Sequence, residues 1–342
     1  MQKINYLYNG GGKYDILKIT LAVLIVALHT RPLSNDFQPI LRLAVPIFFI
    51  MTSFFFYNKV KDLGKEETNA ALGKFVCRNL LLYLFWFIVL IPVTLYRHNW
   101  FDSGIVMGLA RMIRSFLFGS TFAASWFITS SVIAVTLTTF ISRRCKNVWL
   151  LILSLLAYLF CSLDANYHHL ICAAPQIEKA FGLYHLALGV PYISFPSALV
   201  WIVMGKIIAE HQVKISARFR YTALLIAFAL LFVEHYIGYQ KGWILDDDCY
   251  LFLLIVCPLI FIVISQYTVH PRHDMLMRKM STMIYCSHLS LLTIIELCFS
   301  HYGIEANRWL LFLLCLASAF CLSCLILWLE EKRKIKILKY SH

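Results

Sequence analysis

Apolar runs, each close to the length of a helix that crosses a bilayer, recur from one end of this sequence to the other. About 20 mostly apolar residues are needed to span the hydrocarbon, and such runs fall near 14–33, 40–57, 76–96, 123–142 and 148–164. Five more lie near 189–210, 219–239, 249–268, 281–300 and 308–330. With 60% hydrophobic residues and a mean hydropathy of +0.72, a water-soluble globule would expose far more apolar surface than such domains tolerate. The expected fold is therefore an all-α, polytopic integral membrane bundle of about ten transmembrane helices, forming a single membrane domain over 1–342.

The placement of Lys and Arg tests that count independently. One set of loops holds 22 of the 31 basic residues: Lys3, Lys13, Lys59, Lys61, Lys65, Lys74, Arg78, Arg143, Arg144, Lys146, Lys206, Lys214, Arg218, Arg220, Arg272, Arg278, Lys279 and the tail group Lys332 to Lys339. The other set holds seven (Arg31, Arg97, Arg111, Arg114, Lys179, Lys241 and Arg308) together with the acidic run Asp246-Asp247-Asp248, while Lys18 and Arg42 fall within spans. The positive-inside rule then predicts an even number of spans with both termini cytoplasmic. Because Lys18 and His29 bracket only ten apolar residues and no small-x-small site follows, the first run reads as a span and not as a signal peptide.

The net charge of +13 follows from that bias. No basic stretch lies on a soluble fold with interleaved aromatics, so nucleic acid is not an expected partner. Most of the 11 cysteines sit in apolar runs without metal-ligand spacing, which fits packing residues and predicts no metal site.

Charges inside spans are costly and mark function by default. Lys18 and His29 are eleven residues apart, about 16 Å of helix and about 20° beyond three full turns, so they share one face at different depths. Spacing alone leaves two readings open. In one, Lys18 snorkels to the inner interface and His29 is an ordinary interfacial histidine. In the other, His29 is a general base and Lys18 binds an anionic group entering from the cytoplasm.

The run from Tyr14-Asp15-Ile16-Leu17-Lys18 to Leu28-His29 resembles the first helix of the acyltransferase 3 family of membrane acyltransferases, in which a basic residue precedes a histidine by ten intervening positions. Arg42 through Phe55 resembles that family's second helix, with Phe54 where a glycine is usual. Trp126-Phe127-Ile128, the stretch Phe195-Pro196 to Met204-Gly205-Lys206, and Ser281-Thr282-Met283-Ile284-Tyr285-Cys286-Ser287-His288 continue the resemblance in order. A family Arg-x-x-Arg pair before the third span is not kept: Phe75 takes the first place, with Lys74 and Arg78 as a substitute pair on one helix face.

The resemblance implies transfer of an acyl group, commonly acetyl, from cytoplasmic acyl-CoA to a hydroxyl of a cell-envelope or exported glycan, in the cytoplasmic membrane of a bacterium. It implies His29 as base or transient acyl carrier, assisted by Lys18, and Lys18, Lys74 and Arg78 as cations for the donor phosphates. No permanently bound cofactor is implied; acyl-CoA is a substrate, and membrane lipids, donor and glycan are the partners. Arg42, Trp126, Ser281, Tyr285 and His288 are candidate substrate contacts or oxyanion donors, each with helix packing as the alternative. Glu296 is a candidate for tuning a histidine, and Arg111-x-x-Arg114 reads as an interfacial amphipathic segment or an acceptor contact. The fused esterase-like domain of some family members is not expected. A transporter or flippase of a lipid-linked saccharide or small metabolite is the competing reading, although no paired repeats with broken helices are visible.

Overall fold

A computed structural model describes residues 12–122, 124–267 and 274–342. Lys3 and Arg272, counted in the basic loops, lie outside the described residues. The helices of thirteen or more residues are α1 (Gly12–Thr30), α2 (Ala44–Val60), α3 (Lys65–Val89), α4 (Ile105–Phe118), α5 (Trp126–Ile141), α6 (Asn147–Asp164), α7 (Pro175–Leu188), α8 (Phe195–His211), α9 (Ala217–Gln240), α10 (Leu253–Ser265), α11 (Asp274–His301) and α12 (Arg308–Arg333). The described residues form no strand. Each of the ten predicted spans overlaps a different one of these helices, with α4 and α7 left over between spans. Seven helical stretches are long and apolar enough to cross a membrane, and α5 and α10 are shorter apolar helices; α1 carries Lys13, Asp15 and Lys18 in its first two turns. The chain is a polytopic membrane bundle.

Side-chain contacts sort the helix ends into two sets. At one end Lys13 donates to the carbonyls of Ser265 and Tyr267, Lys61 to Ala209 O, and Arg143 to Asn69. Lys206 bonds Asn147 and Glu210, Arg220 lies over the Tyr267 ring, Arg278 pairs with Asp15, and Lys279 with Glu330. These contacts bring together the starts of α1, α3, α6, α9 and α11 and the finishes of α2, α5, α8, α10 and α12. That is the strict alternation an even number of spans requires. We call this the basic end; the opposite, far end carries Asp246–Asp248.

The interior is built on α1, α2 and α8. The α2–α8 crossing is close because Gly205 has no side chain: a Cβ there would meet Ile50 O at 2.5 Å and Ser53 Cβ at 2.7 Å. Ser53 uses that proximity to donate its hydroxyl to Ile202 O. Around this centre, α3, α9 and α12 turn much of their apolar surface outward, with Ile88 64%, Leu225 72% and Leu313 57% exposed. Lipid is the solvent that such a perimeter requires.

Three boundaries differ from the sequence reading. The run 40–57 is not one continuous helix: a short helix, Gln38–Leu41, turns at Arg42 before α2 begins, so Arg42 sits in a turn within the apolar stretch Asn35–Val60. The run 76–96 is interrupted at Leu90, because Pro92 has no N–H to continue the ladder, and a separate short helix covers Ile91–Arg97. The predicted 189–210 span starts later, since α8 begins at Phe195 with Pro196 in its first turn. Phe54, standing where the family has glycine, packs its ring 5.1 Å from Phe261 and 6.0 Å from Tyr14. Arg111 and Arg114 ride on α4, whose Ile105, Leu109 and Ile113 form an exposed apolar stripe, and Arg114 donates to Leu186 O at the finish of α7.

Candidate functional site

Polar groups collect at both ends of α1. At the basic end Asp15, fully buried, accepts two hydrogen bonds from Arg278, at 2.9 and 3.0 Å. Lys18 lies one turn further along, its ammonium 5.5 Å from the centre of the Phe55 ring and within electrostatic reach of Asp15, Arg78 and Arg278. Lys18, Arg78 and Arg278, from α1, α3 and α11, therefore bring three cations together around the Asp15 carboxylate. Lys74 is exposed on α3, one turn before Arg78, and no contact joins it to Lys18 among the described residues. Phe75 points into the core, its ring 5.3 Å from Phe56. Arg278 was legible in sequence only as a topology marker, since nothing local links it to an aspartate 263 positions away.

At the far end His29 is exposed while its neighbours on α1 from Ile25 to Leu28 are buried, so the last turn of a central helix opens onto accessible space. His288 from α11 faces it, with ring centroids 5.3 Å apart and planes tilted by 35°. The Nδ1 of His288 lies 2.7 Å from Tyr285 O and 3.2 Å from Ile284 O. Carbonyls only accept, so Nδ1 carries the proton and Nε2 is left as a basic lone pair. That Nε2 is buried and has no partner among the described residues. Arg31, Arg42 and Arg97 bring positive charge toward His29.

Arg42 is held in place by the whole acidic run. It bonds Asp247 and Asp248 closely and Asp246 at 3.2 Å. Burial pushes the Asp246 carboxyl up, and the guanidinium draws it back down. Arg42, Asp248, Leu28 and Trp126 line one narrow crevice beside the His29 turn. In sequence the run Asp246–Asp248 carries only an orientation signal; its role as counterion to Arg42 joins positions some 200 residues apart. Arg42→Met would leave three partly buried carboxylates without their cation. We expect a loss of about 1–3 kcal/mol, seen as a lowered midpoint of thermal unfolding in detergent.

Of Tyr285, Ser281, Arg42 and Trp126, the two hydroxyls have their hydrogens committed and Arg42 is committed through its terminal nitrogens, while its Nε–H is buried without a partner among the described residues. Tyr285 donates to Ala124 O at 2.7 Å, Ser281 to Arg278 O at 2.9 Å, and Arg42 to the aspartates. Ser281 also lies near the basic end, seven residues and about 10 Å from His288 along α11. The indole N–H of Trp126 has no partner among the described residues. Glu296, exposed on α11, touches neither histidine.

These features define a membrane bundle in which one helix links a cationic cluster near one end to a histidine pair near the other. The family model described as an acyltransferase domain matches residues 12–328, so the chain belongs to the acyltransferase 3 family. It is 21% identical over 332 residues to an "Amino-acid racemase" of Enterococcus faecalis, covering 94% of this chain and 46% of that protein. A "Serine/alanine racemase" of Enterococcus gallinarum is 22% identical over 75% of this chain and 37% of its own length. The chain thus spans less than half the length of these curated relatives. No solved structure matches.

Proposed function

We propose that this chain is a membrane O-acyltransferase that moves an acyl group, acetyl by default, from cytoplasmic acyl-CoA to a hydroxyl of a cell-envelope or exported glycan. The observation that carries the reading is the continuity of α1 between two polar sites of different character. Cations at the basic end suit the phosphates of a CoA donor, and the excess of Lys and Arg there supports a cytoplasmic location for that end in a bacterial cytoplasmic membrane. The thioester sits at the tip of a long flexible arm, so phosphates held near Lys18, Arg78 and Arg278 are compatible with chemistry about 16 Å further along α1.

At the far end His29 takes the proton of the acceptor hydroxyl as the oxygen attacks the thioester carbonyl. The C–S bond then breaks, and the imidazolium returns the proton to the departing CoA thiolate. His288 supports that cycle through its fixed tautomer, which leaves Nε2 as a proton acceptor on the ring beside His29. Trp126 has an uncommitted N–H to offer the oxyanion.

The test is incubation of the purified protein in nanodiscs with isotopically labelled acetyl-CoA and a panel of glycans, followed by mass spectrometry. Serine belongs in the panel because of the names its relatives carry. Labelled ester on an acceptor supports the reading; movement of an acceptor across liposomes without any acyl donor favours the transporter instead. Arg278→Ala is expected to raise the KM for acetyl-CoA about tenfold, the loss of one charge-assisted contact, with little change in kcat. Equal loss in kcat and no change in KM would remove Arg278 from the donor site.

A further inference from the structure

A second cavity lies at the far end, away from the histidine pair. It has a volume of about 200 Å³ and is bounded by the turn after α6, the last turns of α9 and the segment leading into α10, with Asn166, Tyr167, Glu234, Trp243, Tyr250 and Phe252 in its walls. That is room for one small ring and not for a chain of them.

The walls are mostly apolar and aromatic, with a few hydrogen-bonding groups among them. Trp243 is braced by stacking on His169, with centroids 4.5 Å apart and planes 16° from parallel. Tyr250 is fully buried and its hydroxyl lies 2.7 Å from His235 Nδ1. Asn166 is 3% exposed, and its Oδ1 accepts the Cys249 N–H at 2.6 Å, which fixes the amide so that Nδ2 is the free donor. That Nδ2 is buried and has no partner among the described residues. Glu234 accepts from Tyr167 and from the N–H of Leu251 through Oε1, and from the N–H of Phe252 through Oε2. Oε2 therefore keeps acceptor capacity.

We propose that this cavity is a saccharide subsite that binds one neutral sugar ring of the acceptor. The proposal rests on the glycan acyltransferase reading above. A sugar offers C–H faces for the aromatic walls and hydroxyls that both accept from Asn166 and donate to Glu234. A lipid chain fits the exposed Val233 and Ile237 beside the cavity but leaves the Asn166 amide unsatisfied, a cost hydrocarbon cannot offset. The segment from Trp243 to Tyr250 also contains Asp246–Asp248, which hold Arg42. A ring bound against Trp243 would thus sit on the strand of chain that also borders the Trp126 crevice, in line with a glycan running on toward His29.

The experiment is saturation-transfer NMR on the nanodisc-embedded chain with glucose, galactose, rhamnose and N-acetylglucosamine as probes. At least one sugar is expected to show transfer to its ring protons. The signal should fall about tenfold in Trp243→Ala, which removes the aromatic face, and comparably in Asn166→Asp, which keeps the Cys249 contact but replaces the donor by an acceptor. Trp243→Phe should retain it, as should His29→Ala, and size-exclusion profiles establish that each variant is folded. No transfer to any of the four sugars, or undiminished transfer in both Trp243→Ala and Asn166→Asp, overturns the subsite. The two readings fail separately: sugar binding without ester formation in the labelled-donor assay sinks the acyltransferase reading alone, and ester formation without sugar binding sinks this one alone.

Discussion

His29→Ala is expected to lower acyl transfer by about 10³- to 10⁴-fold, the loss of a general base, in a protein that inserts and folds normally. The fold should tolerate the change because His29 is exposed at the last turn of α1 and its side chain makes no hydrogen bond to the bundle among the described residues, whereas the neighbouring Ile25, Val26 and Leu28 make the buried contacts. The loss should fall on kcat and leave the KM for acetyl-CoA within about twofold, because the donor phosphates are held some 16 Å away. Arg278→Ala should show the reverse pattern, and that contrast separates chemistry from donor binding within one assay. His29→Gln gives the sharper control: it keeps a polar side chain of similar size without a titratable base. Transfer by His29→Gln at more than about a tenth of the parent rate would show that proton removal is not the role of this position.

The parts of the molecule that were legible in sequence are those set by short-range pattern. Each apolar run of bilayer length marks a helix of the bundle, and the Lys and Arg distribution anticipated the alternation that the contacts at the basic end now display. Breaks within runs were less visible. Pro92 lies in a stretch apolar enough to read as continuous span, and the turn at Arg42 depends on three aspartates that follow it by some 200 residues. Long-range ion pairs have no periodic signature, which is why Arg278 and the Asp246–Asp248 run were seen only as charge markers. The histidine pair is intermediate. His29 was singled out by its spacing from Lys18, and His288 by family resemblance, but the facing of their rings is a property of how α11 packs along α1. The cavity at Asn166 had no sequence signal at all, since its walls come from three separate segments.

The largest structural effect is expected at Gly205. An alanine there already places a carbon 2.5 Å from Ile50 O and 2.7 Å from Ser53 Cβ, and neither obstacle is the far end of a flexible side chain. The α2–α8 crossing must therefore open, with a penalty of about 1–3 kcal/mol, and Gly205→Leu is expected to yield no monodisperse protein on size exclusion in detergent. Small residues at such crossings permit the backbone approach that substitutes for a hydrophobic driving force in lipid. Gly73 supplies the comparison. It lies in α3, where an added Cβ meets nothing within 4 Å, so Gly73→Ala should hold or raise the thermal midpoint through helix propensity, by about 0.5–1 kcal/mol. Equal behaviour of the Gly73 and Gly205 alanine variants would show that the α2–α8 contact does not set the fold. The consequence of opening it would reach both polar sites. Lys206, next to Gly205, ties α8 to Asn147 of α6 at the basic end, while α2 begins beside the Arg42 turn at the far end. A wedge at this one crossing thus displaces the frame that holds the ends of α1 in register with their partners.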